Sequence, residues 1–103
     1  MIKGYKMKLF HGKEAEYEKR HSEIWPEMKA MLRAHGVSNY NIFFDRDTDI
    51  LFSYVEIADE AEYAKVADEP VNRKWWDYMA DLMECKPDNS PVTIELPSVF
   101  HMD

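Results

Sequence analysis

The 103-residue chain has a single cysteine and only three glycines. One thiol, Cys85, cannot close an intrachain disulfide, so a reducing compartment is the expected setting. With so little glycine there is no Gly-rich phosphate loop and no dinucleotide fingerprint. Positive charge is also scarce: 13 Lys and Arg face 20 Asp and Glu, leaving a net charge of −7. A surface of that sign repels phosphate backbones and anionic lipids, so neither nucleic acid nor a membrane is expected as a partner. No apolar run approaches membrane-spanning length, and Met1-Ile2-Lys3-Gly4-Tyr5-Lys6 lacks the continuous apolar stretch of a signal peptide. A soluble cytoplasmic protein is the expectation. His11, His21, His35 and His101 are scattered, so no zinc-type cluster forms, and no nucleophile elbow is present. These absences argue against dinucleotide, nucleotide and structural-metal functions, and leave open a haem or a metal held by one histidine.

Apolar side chains, by contrast, are plentiful: 46% of residues are hydrophobic and 14% aromatic. That suffices for a packed core, and without repeats or linkers residues 1–103 read as a single domain. A domain this small buries a modest share of its surface and gains from pairing with a second copy.

Residues 2–10 alternate, with Lys3, Tyr5, Met7 and Leu9 on the more apolar face, as in a strand covered on one side. From Lys13 to about Ala34 the period becomes helical, and Tyr17, His21, Trp25, Met28 and Leu32 form one stripe. Pro26 cannot donate to the Ser22 carbonyl and pushes Trp25 toward extended geometry, so the helix breaks and restarts there. Gly36 suits the cap that ends it. Residues 37–45 and 50–57 read as strands joined by the polar turn Arg46-Asp47-Thr48-Asp49, an antiparallel hairpin. Tyr40, Ile42 and Phe44 share a face of the first. Either Phe52 and Tyr54, or Leu51, Ser53 and Val55, face the core from the second. A short helix capped by Asp59 runs to about Ala67, a longer one spans Val71 to Met83, and Val92 to Leu96 forms a last strand. The order is βαββαβ, an α+β, ferredoxin-like plan with helices on one face of an antiparallel sheet. Two such sheets packed face to face give a dimeric α+β barrel.

Tyr17 and His21, four residues apart, project from one helical face. Histidine exchanges protons near neutral pH and tyrosine offers a hydroxyl, although the ordinary reading of such a pair is an amphipathic stripe with polar tips at the surface. Trp75 and Trp76 point about 100° apart on a helix. One can enter the core while the other lines a groove, and flat indole faces suit the C–H faces of a deoxysugar. Tyr40 on the hairpin could aim a hydroxyl at a ligand held between sheet and helices; Tyr5 and Tyr54 could do the same, and position does not choose among the three. His11, His35 and His101 are expected to be solvated, and the seven methionines to fill core space.

The run Tyr17-Glu18-Lys19-Arg20-His21-Ser22-Glu23-Ile24-Trp25-Pro26-Glu27-Met28 resembles the Tyr-x-x-x-His-x-x-Ile-Trp-Pro-Glu helix of L-rhamnose mutarotases. His35-Gly36-Val37-Ser38-Asn39-Tyr40, Trp75-Trp76-Asp77-Tyr78-Met79 and Pro87-Asp88-Asn89-Ser90-Pro91-Val92 are similar to further segments of that family, in the same order along nearly the whole chain. The resemblance implies a homodimeric α+β barrel and an isomerase that interconverts the anomers of L-rhamnose without a cofactor. It also implies that His21 is the catalytic proton donor and that Tyr17, Tyr40, Trp75 and Trp76 contact the sugar. The same fold hosts monooxygenases and haem-degrading enzymes, and a non-catalytic sugar-binding module is a further alternative.

Overall fold

Two periodicities, of two and of about 3.6 residues, divide the chain into strands and helices. The computed structural model describes residues 1–103. Strand β1 covers Ile2–Lys8, helix α1 Glu14–Ser22 and helix α2 Pro26–Ala34. Strands β2 (Val37–Asp45) and β3 (Ile50–Ile57) form the expected hairpin. Helix α3 (Glu60–Ala64), a 3₁₀ turn at Lys65–Asp68, helix α4 (Pro70–Met79) and strand β4 (Ile94–Leu96) complete the chain. The sheet order is β2-β3-β1-β4 and every pairing is antiparallel, as the ferredoxin-like plan requires. No helix is long and apolar enough to cross a membrane.

Pro26 divides the first helical region as its chemistry dictates. It occupies the first turn of α2, and Trp25 before it is extended, with ψ 134°. Gly36 closes α2 with φ +82°, and a Cβ there would lie 2.9 Å from the Cβ of Ala58. Only glycine fits that approach of helix end to strand. Asp59 caps α3 by accepting a hydrogen bond from the Glu62 N–H at 2.9 Å.

Two elements are shorter than their sequence patterns suggest. Helix α4 stops at Met79 rather than Met83 because the following residues turn back to β1: Phe10 N–H donates to the Leu82 carbonyl at 2.8 Å, and Leu9 bridges Met83. Strand β4 begins at Ile94 rather than Val92. Val92 instead donates to the Glu84 carbonyl at 3.1 Å within the preceding loop.

Strand β2 carries a bulge between Ser38 and Asn41, with Asn39 in the left-handed region at φ 44°. The extra residue reverses the alternation. Val37 faces inward before it, and Tyr40, Ile42 and Phe44 face inward after it. Of the two faces open for β3, the structure selects Leu51, Ser53 and Val55 as the buried one. The core lies between this inner face and the helices, with Leu9, Leu51, Val55 and Leu82 almost completely enclosed. The opposite face has no cover within the chain and displays Ile2, Phe43, Phe52 and Ile94.

His35 departs from expectation. It is not solvated but clamped between two carboxylates, Nδ1 at 2.7 Å from Glu62 Oε1 and Nε2 at 3.1 Å from Glu69 Oε1. The clamp ties the end of α2 to α3 and to the start of α4. Both ring nitrogens donate to carboxylates only in the imidazolium form, so Glu62 first and then Glu69 raise its pKa above the usual 6.5. A raised folded pKa gives a stabilisation that is complete below about 6.5 and is lost as pH climbs through the higher value. Urea unfolding of the wild type should therefore show a falling midpoint from about pH 6 to about pH 9, and His35→Gln should flatten that decline. An unchanged slope in the variant would show that the clamp does not stabilise the fold.

Candidate functional site

The last turn of α1 presents His21 to the layer between helices and sheet, one turn before the break at Pro26. Its Nδ1 lies 3.1 Å from the carbonyl oxygen of Tyr17. A carbonyl only accepts, so Nδ1 carries the proton and donates. In the neutral ring Nε2 then holds the free lone pair, and in the charged ring it holds a transferable proton. The imidazole stacks on the Tyr17 ring with centroids 4.3 Å apart and meets the edge of Trp75 at 5.4 Å. Burial pushes the His21 pKa below 6.5, opposed only by the Tyr17 carbonyl.

Around this imidazole the rings form a connected wall. Trp75 packs edge-on to Trp25 at 5.1 Å, and Tyr78 stacks on Trp25 at 5.6 Å. Such pairs contribute about 0.5–1.5 kcal/mol each beyond the area they bury. Arg20 seals the outer rim, its guanidinium 4.5 Å above the Tyr78 ring and bonded to Asp81 Oδ1 at 2.8 Å and to the Tyr78 carbonyl at 2.6 Å. Lys19, Arg20 and His21 occupy the last turn of α1, where the helix dipole favours positive charge.

The sequence-expected residues divide as follows. Tyr17, His21 and Trp75 are in direct contact. Trp75 is the member of the tryptophan pair that enters the core; Trp76 is half-buried, with the Arg73 guanidinium 5.0 Å over its ring and no ring contact to His21. Tyr40 faces inward because of the β2 bulge. Its ring edges a cleft of about 250 Å³ between α2 and β2 that also touches Leu32, Arg33 and Asn39. That cleft accounts for its 42% exposure, whereas burial, then the nearby Tyr17 and Tyr5 hydroxyls, push its pKa up. Burial likewise raises Tyr17 and Tyr63, and Tyr63 also senses Tyr40 and Tyr5. Burial thus keeps the Tyr17, Tyr40 and Tyr63 hydroxyls neutral, while Tyr5 is raised by partial burial and then by Glu95.

Spacing alone marks out neither Tyr63, on a five-residue helix, nor the Arg20–Tyr78 rim, which pairs residues 58 apart. Tyr78 carries a weak signal, being three residues after Trp75 on the same helix. No group of three or more His, Cys, Asp or Glu side chains converges as a metal-ligand set. The arrangement offers one tunable proton carrier, several neutral hydroxyl donors and flat apolar walls.

A family model described as L-rhamnose mutarotase matches residues 3–102. The chain is 52% identical to the L-rhamnose mutarotase of Lachnoclostridium phytofermentans over 101 residues, covering 98% of this chain and 97% of the relative. It is 54% identical to that of Bacteroides thetaiotaomicron over 96% of this chain and 95% of the relative. The crystal structure of an L-rhamnose mutarotase from Formosa agariphila superposes with a TM-score of 0.93 at 42% identity, covering all of this chain and 99% of the other. An inward imidazole walled by rings on an antiparallel sheet thus sits in a chain that the family model matches from residue 3 to 102, and the chain belongs to the L-rhamnose mutarotase family.

Proposed function

We propose that residues 1–103 form a single mutarotase domain that interconverts the α and β anomers of L-rhamnose by acid/base-assisted opening and closing of the pyranose ring. The observation that carries the mechanism is the fixed orientation of His21, with Nδ1–H spent on the Tyr17 carbonyl and Nε2 open. Opening requires a proton at the ring oxygen and loss of one from the anomeric hydroxyl. In the imidazolium form, Nε2 donates to the ring oxygen; when the oxygen recloses on the other face of the carbonyl carbon, the proton returns. The lowered pKa makes that imidazolium a stronger acid than a free one. On reclosure the carbonyl oxygen also regains the proton lost from the anomeric hydroxyl, so two proton transfers and one C–O bond broken and re-formed complete the cycle, and the mechanism needs no cofactor.

Burial opposes the ionisation of Tyr17 and Tyr40, so they do not serve as bases and keep their O–H groups for hydrogen bonding. They hold sugar hydroxyls, while water takes the anomeric proton. Trp75 and Trp76 supply apolar wall for the sugar's C–H faces and 6-methyl group. Monooxygenases share the fold, and what favours the mutarotase reading over them is the sequence agreement across residues 3–102 rather than the architecture.

The partner is a second copy of the chain. Phe43, Phe52, Ile2 and Ile94 form an apolar face that no element of the chain covers, and two such faces stacked about 10 Å apart make the barrel. A single half-buried thiol with a pKa raised by burial suits a cytoplasmic location.

His21→Ala should lower the enzyme-dependent exchange between α and β anomeric protons of L-rhamnose by about 10²–10⁴-fold in saturation-transfer NMR, with an unchanged far-UV circular dichroism spectrum. Near-native exchange in that variant removes His21 from the mechanism. In the wild type, kcat/KM should fall with rising pH through an inflection below about 6.5, and an inflection above that value would contradict a desolvated imidazolium donor. Sedimentation equilibrium should give a dimer for the wild type and a monomer for Phe43→Asp/Phe52→Glu. A dimeric double variant would place the interface elsewhere.

A further inference from the structure

The inner side of the sheet carries two hydrophobic clusters rather than one continuous core. The larger gathers Leu9, Tyr17, Met28, Leu51, Trp75 and their neighbours; the smaller holds Val37, Val55 and Ile57. On β3 the inward series Leu51, Val55, Ile57 is interrupted at the junction by Ser53. This residue is opposite Tyr5 on β1 and Ile42 on β2, both on the helix-facing side. It is 5% exposed, and its Oγ has no hydrogen-bond partner.

A second orphan lies in the helical layer. Asn72 shares the buried stripe of α4 with Trp75 and Met79, is 3% exposed, and leaves its Nδ2 unpaired. Folded proteins rarely enclose such groups unpaired, because an unmet donor forfeits its hydration with nothing in return. Ser53 lies opposite Tyr5 where the two clusters meet, and Asn72 lies one helical turn before Trp75, the ring that meets His21. A valine at 53 would continue the inward apolar series of β3, and a leucine at 72 would complete the apolar stripe of α4. Ser53 and Asn72 instead keep hydrogen-bonding groups within otherwise apolar packing.

We propose that Ser53, from the sheet, and Asn72, from α4, are positioning and specificity residues that hydrogen-bond ring hydroxyls of the pyranose presented to His21. The inference rests on the mutarotase reading above. A sugar hydroxyl both donates and accepts, so it can accept from Asn72 Nδ2–H and either donate to or accept from Ser53 Oγ. A site built in this way discriminates by the cost of leaving its own groups unpaired when a hydroxyl is missing. Neither residue moves a proton in the reaction.

The test compares L-rhamnose with its 2-, 3- and 4-deoxy derivatives as substrates for anomer exchange by the wild type, Ser53→Ala and Asn72→Leu. In the wild type, removal of the hydroxyl paired with each residue should raise KM about tenfold. Each variant should show a comparable rise with L-rhamnose, keep kcat within about twofold, and lose the penalty for one particular deoxy position. Both variants should be at least as thermostable as the wild type, since each removes an orphan polar atom. Unchanged KM and an unchanged pattern of deoxy penalties would overturn the proposal and leave Ser53 and Asn72 as core residues. Ser53→Ala removes a single oxygen atom, so it decides the matter even if Asn72→Leu does not fold. A wild type that does not accelerate exchange would instead overturn the mutarotase reading itself.

Discussion

One hydrogen bond, from His21 Nδ1–H to the carbonyl of Tyr17, fixes which nitrogen of that imidazole is left to exchange a proton. A free imidazole rotates and exchanges tautomers. This one is held by the turn of helix beneath it, stacked on Tyr17 and braced by the edge of Trp75. The bond uses a carbonyl of α1 itself, so the helix fixes its own imidazole, the proposed proton donor, without a dedicated carboxylate. The absence of a carboxylate partner also matters for acidity. A neighbouring negative charge would raise the imidazolium pKa, as Glu62 and Glu69 do for His35, whereas His21 is governed by burial and lowered.

The remainder of the interior is consistent with that economy. Mutarotation makes and breaks one bond to the anomeric carbon while protons are exchanged at two oxygens. A small acidic domain can provide for this with neutral hydroxyls and indole faces. Desolvation keeps the buried tyrosines un-ionised, so they act as donors that neither compete with His21 for protons nor add charge to the pocket. The Arg20 rim keeps its charge at the edge, satisfied by Asp81 and Glu16 and spread over the face of Tyr78.

Much of this is legible in the amino-acid order, and the reasons differ from residue to residue. Pro26 carries its own stereochemistry, so the break after His21 follows from one residue. The hairpin follows from alternation and a polar turn. Three features resist such reading. Whether β3 turns Leu51 or Phe52 inward depends on which face the helices cover, and both sets are apolar. The inward turn of Tyr40 depends on a bulge whose trace is the change of phase between Val37 and Ile42, with Asn39 able to adopt the left-handed conformation. The His35 clamp joins residues 27 and 34 positions apart, a pairing that only tertiary packing creates. For the proposed proton donor His21 and sugar-contacting Tyr17, spacing alone gives an ordinary amphipathic pair, and only the resemblance to the family pattern distinguishes them.

The protonation of His21, observed atom by atom, is the decisive measurement. Long-range ¹H–¹⁵N correlation spectra of the imidazole, recorded on wild-type protein across the pH range and assigned with His21→Ala, report which nitrogen carries the proton. The neutral ring should be protonated at Nδ1 and bare at Nε2, the reverse of the tautomer a free imidazole side chain favours, with Nε2 gaining its proton only below about pH 6.5. A neutral ring protonated at Nε2, or one that charges above that value, would contradict the proposed role of His21.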